Sequence, residues 1–228
     1  PRFTLDYQSY LRYNDLISKN KNQNKYKNFM DDFTDTLINE ADQLKLQGRH
    51  QDAIKVCEKL LMSDLDCVEA YEEIGDNFLS LKEFEKAQRA LLRAVQLDPE
   101  SANANYLLGF TYSSLGEWEL SIDYLESADK VQSNHPEILR CLGWSYFHYG
   151  QKKKGVIVLE RALNLAWDDC LILCDLGVCY LNEKNFERSI QLFEKVLKLE
   201  PENEKARECL KACRFFQREY DKMKRRAG

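Results

Sequence analysis

Residues 74–95 read IGDNFLSLKEFEKAQRALLRAV, and thirty-four positions on, residues 108–129 read LGFTYSSLGEWELSIDYLESAD. The phrase returns at 142–163 as LGWSYFHYGQKKKGVIVLERAL and at 176–197 as LGVCYLNEKNFERSIQLFEKVL. Each copy sets an apolar residue and a glycine side by side (Ile74-Gly75, Leu108-Gly109, Leu142-Gly143, Leu176-Gly177), with an aromatic three residues later at Phe78, Tyr112, Tyr146 and Tyr180. A second small residue follows at Ala87, Ser121, Gly155 and Ser189, then Leu91, Leu125, Leu159 and Phe193, then Ala94, Ala128, Ala162 and Val196. A weaker copy precedes them in Glu40-Ala41, Leu44, Ala53, Cys57 and Leu60. With glycine at about 7% of positions, four in strict register is a coincidence on the order of one in ten thousand. A fixed period of this length marks a helical repeat. The small residues let two helices approach closely and the aromatic fills the gap beside them, so the unit is a packed hairpin of two helices.

The punctuation agrees. Gly48, Gly116 and Gly150 stand where the first helix of a unit must end and the chain reverse, the usual place for a left-handed residue. Asp98-Pro99 and Glu200-Pro201 close second helices, because the residue before proline is driven out of the helical region. Units therefore run 34–67, 68–101, 102–135, 136–169 and 170–203, and a sixth phase opens at 204.

Over residues 34–203 the chain resembles the tetratricopeptide repeat family, whose thirty-four-residue units carry small and aromatic residues at these offsets. The resemblance implies an all-α fold, a right-handed superhelix of antiparallel helix hairpins. Two units depart from the pattern: the first has Leu60 where a small residue is usual, and the fourth has Lys152 at an apolar position and Trp167 in place of the closing proline.

The flanks differ from the array. Residues 204–228 keep the phase with Leu210, Phe215, Phe216 and Tyr220 but have no second hairpin partner, so they are read as a capping helix with a basic tail. Residues 1–33 are read as a non-repeat helix over Phe3 to Ile17, followed by a polar Asn/Lys-rich linker from Ser18 to Lys27 that leads to a helix starting near Phe29 or Asp31. The chain opens on Pro1 rather than Met, which leaves flanking domains, a signal or an anchor open.

Composition narrows the function classes. A net charge of -5 disfavours a nucleic-acid partner, since phosphates demand a dense basic surface. No apolar run is long enough to insert in a membrane. Eight scattered cysteines in a chain of 228 residues are read as free buried thiols in a reducing, cytoplasmic setting. Cys170, Cys174, Cys209 and Cys213 fall in two one-turn pairs that could in principle hold zinc, but a small buried hydrophobe is the simpler role, so no metal or cofactor is assigned. His50, His135 and His148 are scattered, and no nucleophile, base and orienting acid assemble around them. The chain is read as no enzyme.

The family resemblance implies that the second, fifth, sixth, ninth, twelfth and thirteenth residues of each unit line a concave groove. Those offsets put an acidic set early in the chain, including Asp42, Glu69, Glu72, Glu73 and Asp76. The later units contribute Tyr106, Phe110, Arg140, Trp144, Phe147, His148, Leu171, Cys174, Val178 and Leu181, largely apolar and aromatic. The expected activity is that of an adaptor or scaffold holding a protein or peptide with apolar anchors and a basic flank. Co-chaperone members grip a C-terminal carboxylate with Lys, Asn and Arg; here the equivalent positions hold Ile38, Asp42, Glu73, Asn103 and Leu107, and acids there repel a carboxylate. The alternatives are that the aromatics only pack on each other beside a solvated acidic face, or that the groove is taken by the chain's own N-terminal helix or by a second copy in a homodimer or self-assembling scaffold.

Overall fold

The computed structural model describes residues 23–227. Helices α1 (Gln23–Leu46) and α2 (His50–Leu61) form the first hairpin, followed by α3 (Val68–Ser80) with α4 (Phe84–Leu97), and α5 (Ala102–Leu115) with α6 (Trp118–Val131). Then come α7 (Pro136–His148) with α8 (Lys152–Leu165), α9 (Cys170–Asn182) with α10 (Phe186–Leu199), and a final α11 (Glu204–Ala227). No strand occurs among the described residues, and no described helix is long and apolar enough to cross a membrane.

The repeated glycines are contact points. A Cβ on Gly75 would stand 2.4 Å from Leu91 Cγ, one on Gly109 2.6 Å from Leu125 Cγ, and one on Gly177 2.9 Å from the Phe193 ring. Where the second small residue is serine, its hydroxyl is buried yet satisfied: Ser121 and Ser189 donate to the carbonyl oxygens of Gly109 and Gly177 at 2.8 and 2.7 Å. The aromatic of each unit then caps the gap, and Tyr146 and Tyr180 donate their hydroxyls to Glu126 and Glu160 of the preceding second helix.

Side chains start several helices. Ser101 accepts from Ala104 N, Asp169 from Leu171 N and Ile172 N, and Asn203 from Ala206 N, each satisfying donors that the first turn leaves without a partner. Every first helix from α1 to α9 stops on a left-handed residue. Gly48, Gly116 and Gly150 supply three of these, but Lys82 (φ 59°) and Lys184 (φ 60°) supply the other two without being glycine.

Backbones of consecutive first helices approach within 8 Å, whereas each second helix packs on the two first helices that flank it. The stack therefore curves towards the first helices, which line its inner face. At the far end Ala206, Leu210 and Cys213 of α11 cover Phe193 and Val196 of the last hairpin. In α11 the repeated glycine is replaced by Lys211 and the aromatic by Arg214, which pairs with Glu194 at 2.7 Å. Charged side chains thus stand in α11 where α3, α5, α7 and α9 offer a small residue and an aromatic.

One boundary differs from the sequence reading. Helix α1 is already formed at Gln23, the first described residue, so the second half of the polar run is helical rather than linker. Residues 23–33 hold neither Gly nor Pro, and nothing stops the first unit's helix from propagating back through them. The helix read over Phe3 to Ile17 lies outside the described residues.

Candidate functional site

The inner face carries two ion centres built across adjacent first helices. In the first, Lys45 of α1 reaches over to α3: its Nζ lies 2.8 Å from Glu73, 3.0 Å from Asp76 and 3.1 Å from Asp42 of its own helix. Burial opposes the ammonium, but its hydrogen bonds to Glu73 and Asp76 outweigh that and hold Lys45 above its ordinary pKa. Glu73 is nonetheless raised, because its own burial, reinforced by Asp42 and Asp76, exceeds what Lys45 returns. One cation thus serves three carboxylates, and the centre keeps a negative surplus. Glu72 is engaged separately, accepting from Ser101 Oγ at 2.5 Å and Asn103 Nδ2 at 2.8 Å, and exposed Glu69 accepts from the Cys67 thiol.

In the second centre, Arg140 of α7 donates Nε and Nη2 to Glu137 at 3.0 and 2.6 Å and Nη1 to Asp175 of α9 at 2.7 Å. Tyr106 of α5 donates its hydroxyl to the same Glu137 at 3.1 Å. The guanidinium is only 13% exposed, so this fork is a shielded, bidentate grip rather than a surface pair. Burial works against Glu137 as an anion, yet the Arg140 hydrogen bonds prevail and hold its carboxyl low. For Asp175 burial wins over Arg140, and its pKa is raised. Here too acids outnumber the base.

Between the two aromatic residues Phe110 and Trp144 lies a cavity of about 240 Å³, whose remaining walls are Ser113, Ser114, Arg140, Cys141 and Asp175. Burial pushes the Cys141 thiol up to about 12, so it is a wall and no nucleophile. Beyond Trp144 a stack runs along the rim. The His148 ring lies 4.3 Å from Trp144 and 4.8 Å from Trp118, nearly parallel to the latter. Burial among these rings lowers the His148 pKa.

The structure therefore gathers Phe110, Arg140 and Trp144 around one cavity, with Tyr106 and His148 beside it. It separates the others. Phe147 is 5% exposed and packs with Leu159, Leu176 and Tyr180, so that groove position is core rather than surface. Val178 and Leu181 pack towards α11, while Leu171 and Cys174 line a neighbouring hollow of about 360 Å³ with Asp168, Asp169, Glu200 and Lys205. Sequence offsets missed Trp118, which opens a second helix and so falls outside the groove-lining set, and undervalued Glu137 and Asp175, whose roles depend on Arg140. Among the described residues no group of three His, Cys, Asp or Glu side chains is placed to hold a metal ion.

Models of known families match three stretches: a TPR repeat model over residues 75–116, and two tetratricopeptide repeat models over 102–135 and 171–203. A comparison with curated proteins returned no match. Solved structures of the same shape include a thermophilic TPR protein of Thermus thermophilus, TTC0263, 20% identical with a TM-score of 0.67, covering 79% of this chain and 98% of that one. MamA from Desulfovibrio magneticus is 18% identical at a TM-score of 0.64, over 74% of this chain and 96% of its own. YrrB, described as a TPR protein with an unusual peptide-binding site, is 20% identical at a TM-score of 0.61, over 77% and 90%. At these identities the likeness is one of fold.

Proposed function

Because the chain belongs to the tetratricopeptide repeat family, a family of protein-interaction modules, we propose that it is a non-catalytic adaptor that takes a peptide or helix in the groove lined by α1, α3, α5, α7 and α9. Within it, residues 34–203 are the five binding units and residues 204–228 the cap. The observation that carries this reading is the 240 Å³ cavity between Phe110 and Trp144, of a size to take one side chain against two aromatic walls, with Arg140 and Asp175 beside them. The surplus of carboxylates around Lys45 and Arg140 adds a preference for Lys or Arg beside that anchor and against a free carboxylate. Burial raises the thiols of Cys57, Cys67, Cys174 and Cys179 and keeps them protonated and poorly reactive, which suits packing rather than catalysis.

Peptide display on the wild type and on a Phe110→Ala, Trp144→Ala double variant tests the reading. Ligands selected by the wild type should carry an apolar residue flanked by basic ones, and the double variant should lose at least about tenfold in affinity, the effect of removing one hot-spot contact of about 1.4 kcal/mol. Equal binding to both proteins would place the ligand elsewhere.

A further inference from the structure

Helix α11 is 24 residues long, against 13 or 14 for the first helices α3, α5, α7 and α9. The extra ten residues add roughly 15 Å at 1.5 Å per residue. Its first turns are consumed in covering the last hairpin, but beyond Cys213 no described residue of α11 is buried. Phe216 is 51% exposed and Met223 60%, and seven residues apart they share one face of the helix. Tyr220, between them, rests on Phe186 with ring centroids 5.7 Å apart, and the three side chains border a cleft of about 420 Å³. The same stretch is basic: Arg218, Lys222, Lys224, Arg225 and Arg226 stand against Glu219 and Asp221.

A helix with apolar anchors and a basic end is the chemical complement of the groove, where the Phe110–Trp144 cavity includes Asp175 of the Arg140 centre and the Lys45 centre adds carboxylates on the first two units. It cannot turn back into the groove of its own copy. Ala206, Leu210 and Cys213 fix its root on α10, the Phe186–Tyr220 contact holds its middle, and a continuous helix does not fold over. We propose that the end of α11 beyond the Phe186–Tyr220 contact, residues 221–226, docks in the groove of a second copy of this chain, with Met223 in the Phe110–Trp144 cavity and the basic side chains facing the carboxylates around Arg140 and Lys45. The proposal rests on the groove being a ligand site. Each copy then carries one tail and one groove, so assembly proceeds either by reciprocal exchange of tails in a closed pair or head to tail through successive copies.

Light scattering on the full chain tests this, with circular dichroism checking that every variant stays folded. The wild type should rise above the 26.8 kDa monomer as concentration increases and fall back in high salt. Lys222→Glu, Lys224→Glu, Arg225→Glu in one protein and Phe110→Ala, Trp144→Ala in another should each return it to monomer. Mixing the two variants leaves one intact tail and one intact groove, so species of two copies should form and none larger. A wild type still monomeric at about 100 µM, far above the micromolar range of ordinary interfaces, would overturn the proposal, as would a tail variant that assembles unchanged. If monomeric wild type still captures a basic, apolar-anchored peptide, self-docking is wrong and the groove reading survives; if it captures none, both fail.

Discussion

Gly143 and Gly155 face each other across the fourth hairpin so closely that a Cβ on Gly155 would stand 2.6 Å from the Gly143 carbonyl oxygen and 2.7 Å from Phe147 N. Both neighbours are backbone, so a substitution there must push α8 away from α7. At Gly75 the obstructing atoms all belong to the Leu91 side chain, which can turn aside. Gly155→Ala should therefore cost about 2–3 kcal/mol, at the upper end for overpacking, and Gly75→Ala less. Urea unfolding midpoints give the order, and a Gly155→Ala protein as stable as wild type would refute the close approach.

The turn residues make an opposite pair of predictions. A non-glycine residue in the left-handed region carries a strain of about 1–2 kcal/mol, and Lys82 bears it at φ 59°. Lys82→Gly should raise stability by about 0.5 kcal/mol, the relief being partly offset by a more flexible unfolded chain. Gly116→Ala, at φ 79°, should lower it by about 1 kcal/mol. Thermal melts of the two variants should move in opposite directions.

Arg140→Met removes the one base that Glu137 and Asp175 share. Taking one partner from a shielded ionic network typically costs about 3 kcal/mol. The cost should also depend on pH. In the wild type Glu137 is held low and Asp175 high, so Glu137 loses its stabilising share as pH falls through its folded pKa, while Asp175 gains. In the variant both carboxyls rise above their unfolded values, the native state binds more protons than the unfolded, and stability falls as pH increases through the carboxylate range. The gap between variant and wild type should be wider at pH 8 than at pH 4.5; an equal gap would mean the fork carries no net charge linkage.

Binding of a basic ligand should weaken with added salt, because the surplus carboxylates are partly open to solvent. Glu73→Gln and Asp76→Asn together should flatten that salt slope while leaving the contribution of Trp144 in place. Titrations at two ionic strengths measure both, and an unchanged slope would remove the first ion centre from the site.

The period was legible because helix packing demands small residues at fixed offsets, and Gly75, Gly109, Gly143 and Gly177 announce it without any knowledge of the fold. The left-handed turns at Lys82 and Lys184 carry no residue signature of their own; only their thirty-four-residue register with Gly48, Gly116 and Gly150 marks them, and local turn hydrogen bonds hold them. The ion centres were half visible. Offsets placed Lys45, Glu73 and Asp76 together on the inner face, but that Lys45 pairs with acids 28 and 31 residues away in the next unit follows only from the stacking. Phe147 misled because its repeat position does not keep one environment: Phe147 packs with Leu159, Leu176 and Tyr180, and Leu79 at the same offset is core as well, whereas Lys45 there is partly open and charged. The helix expected over Phe3 to Ile17 has no such comparison, lying outside the described residues.

Contact between successive first helices, without the same contact between second helices, also fixes how the array yields to force. The inner row is already touching and is the stiff side; the outer row has slack. Drawing the outer helices together straightens the stack and widens the groove, and letting them spread tightens it. Groove width and outer-face spacing are thus coupled through one curvature, so a change imposed on either face is felt at the other.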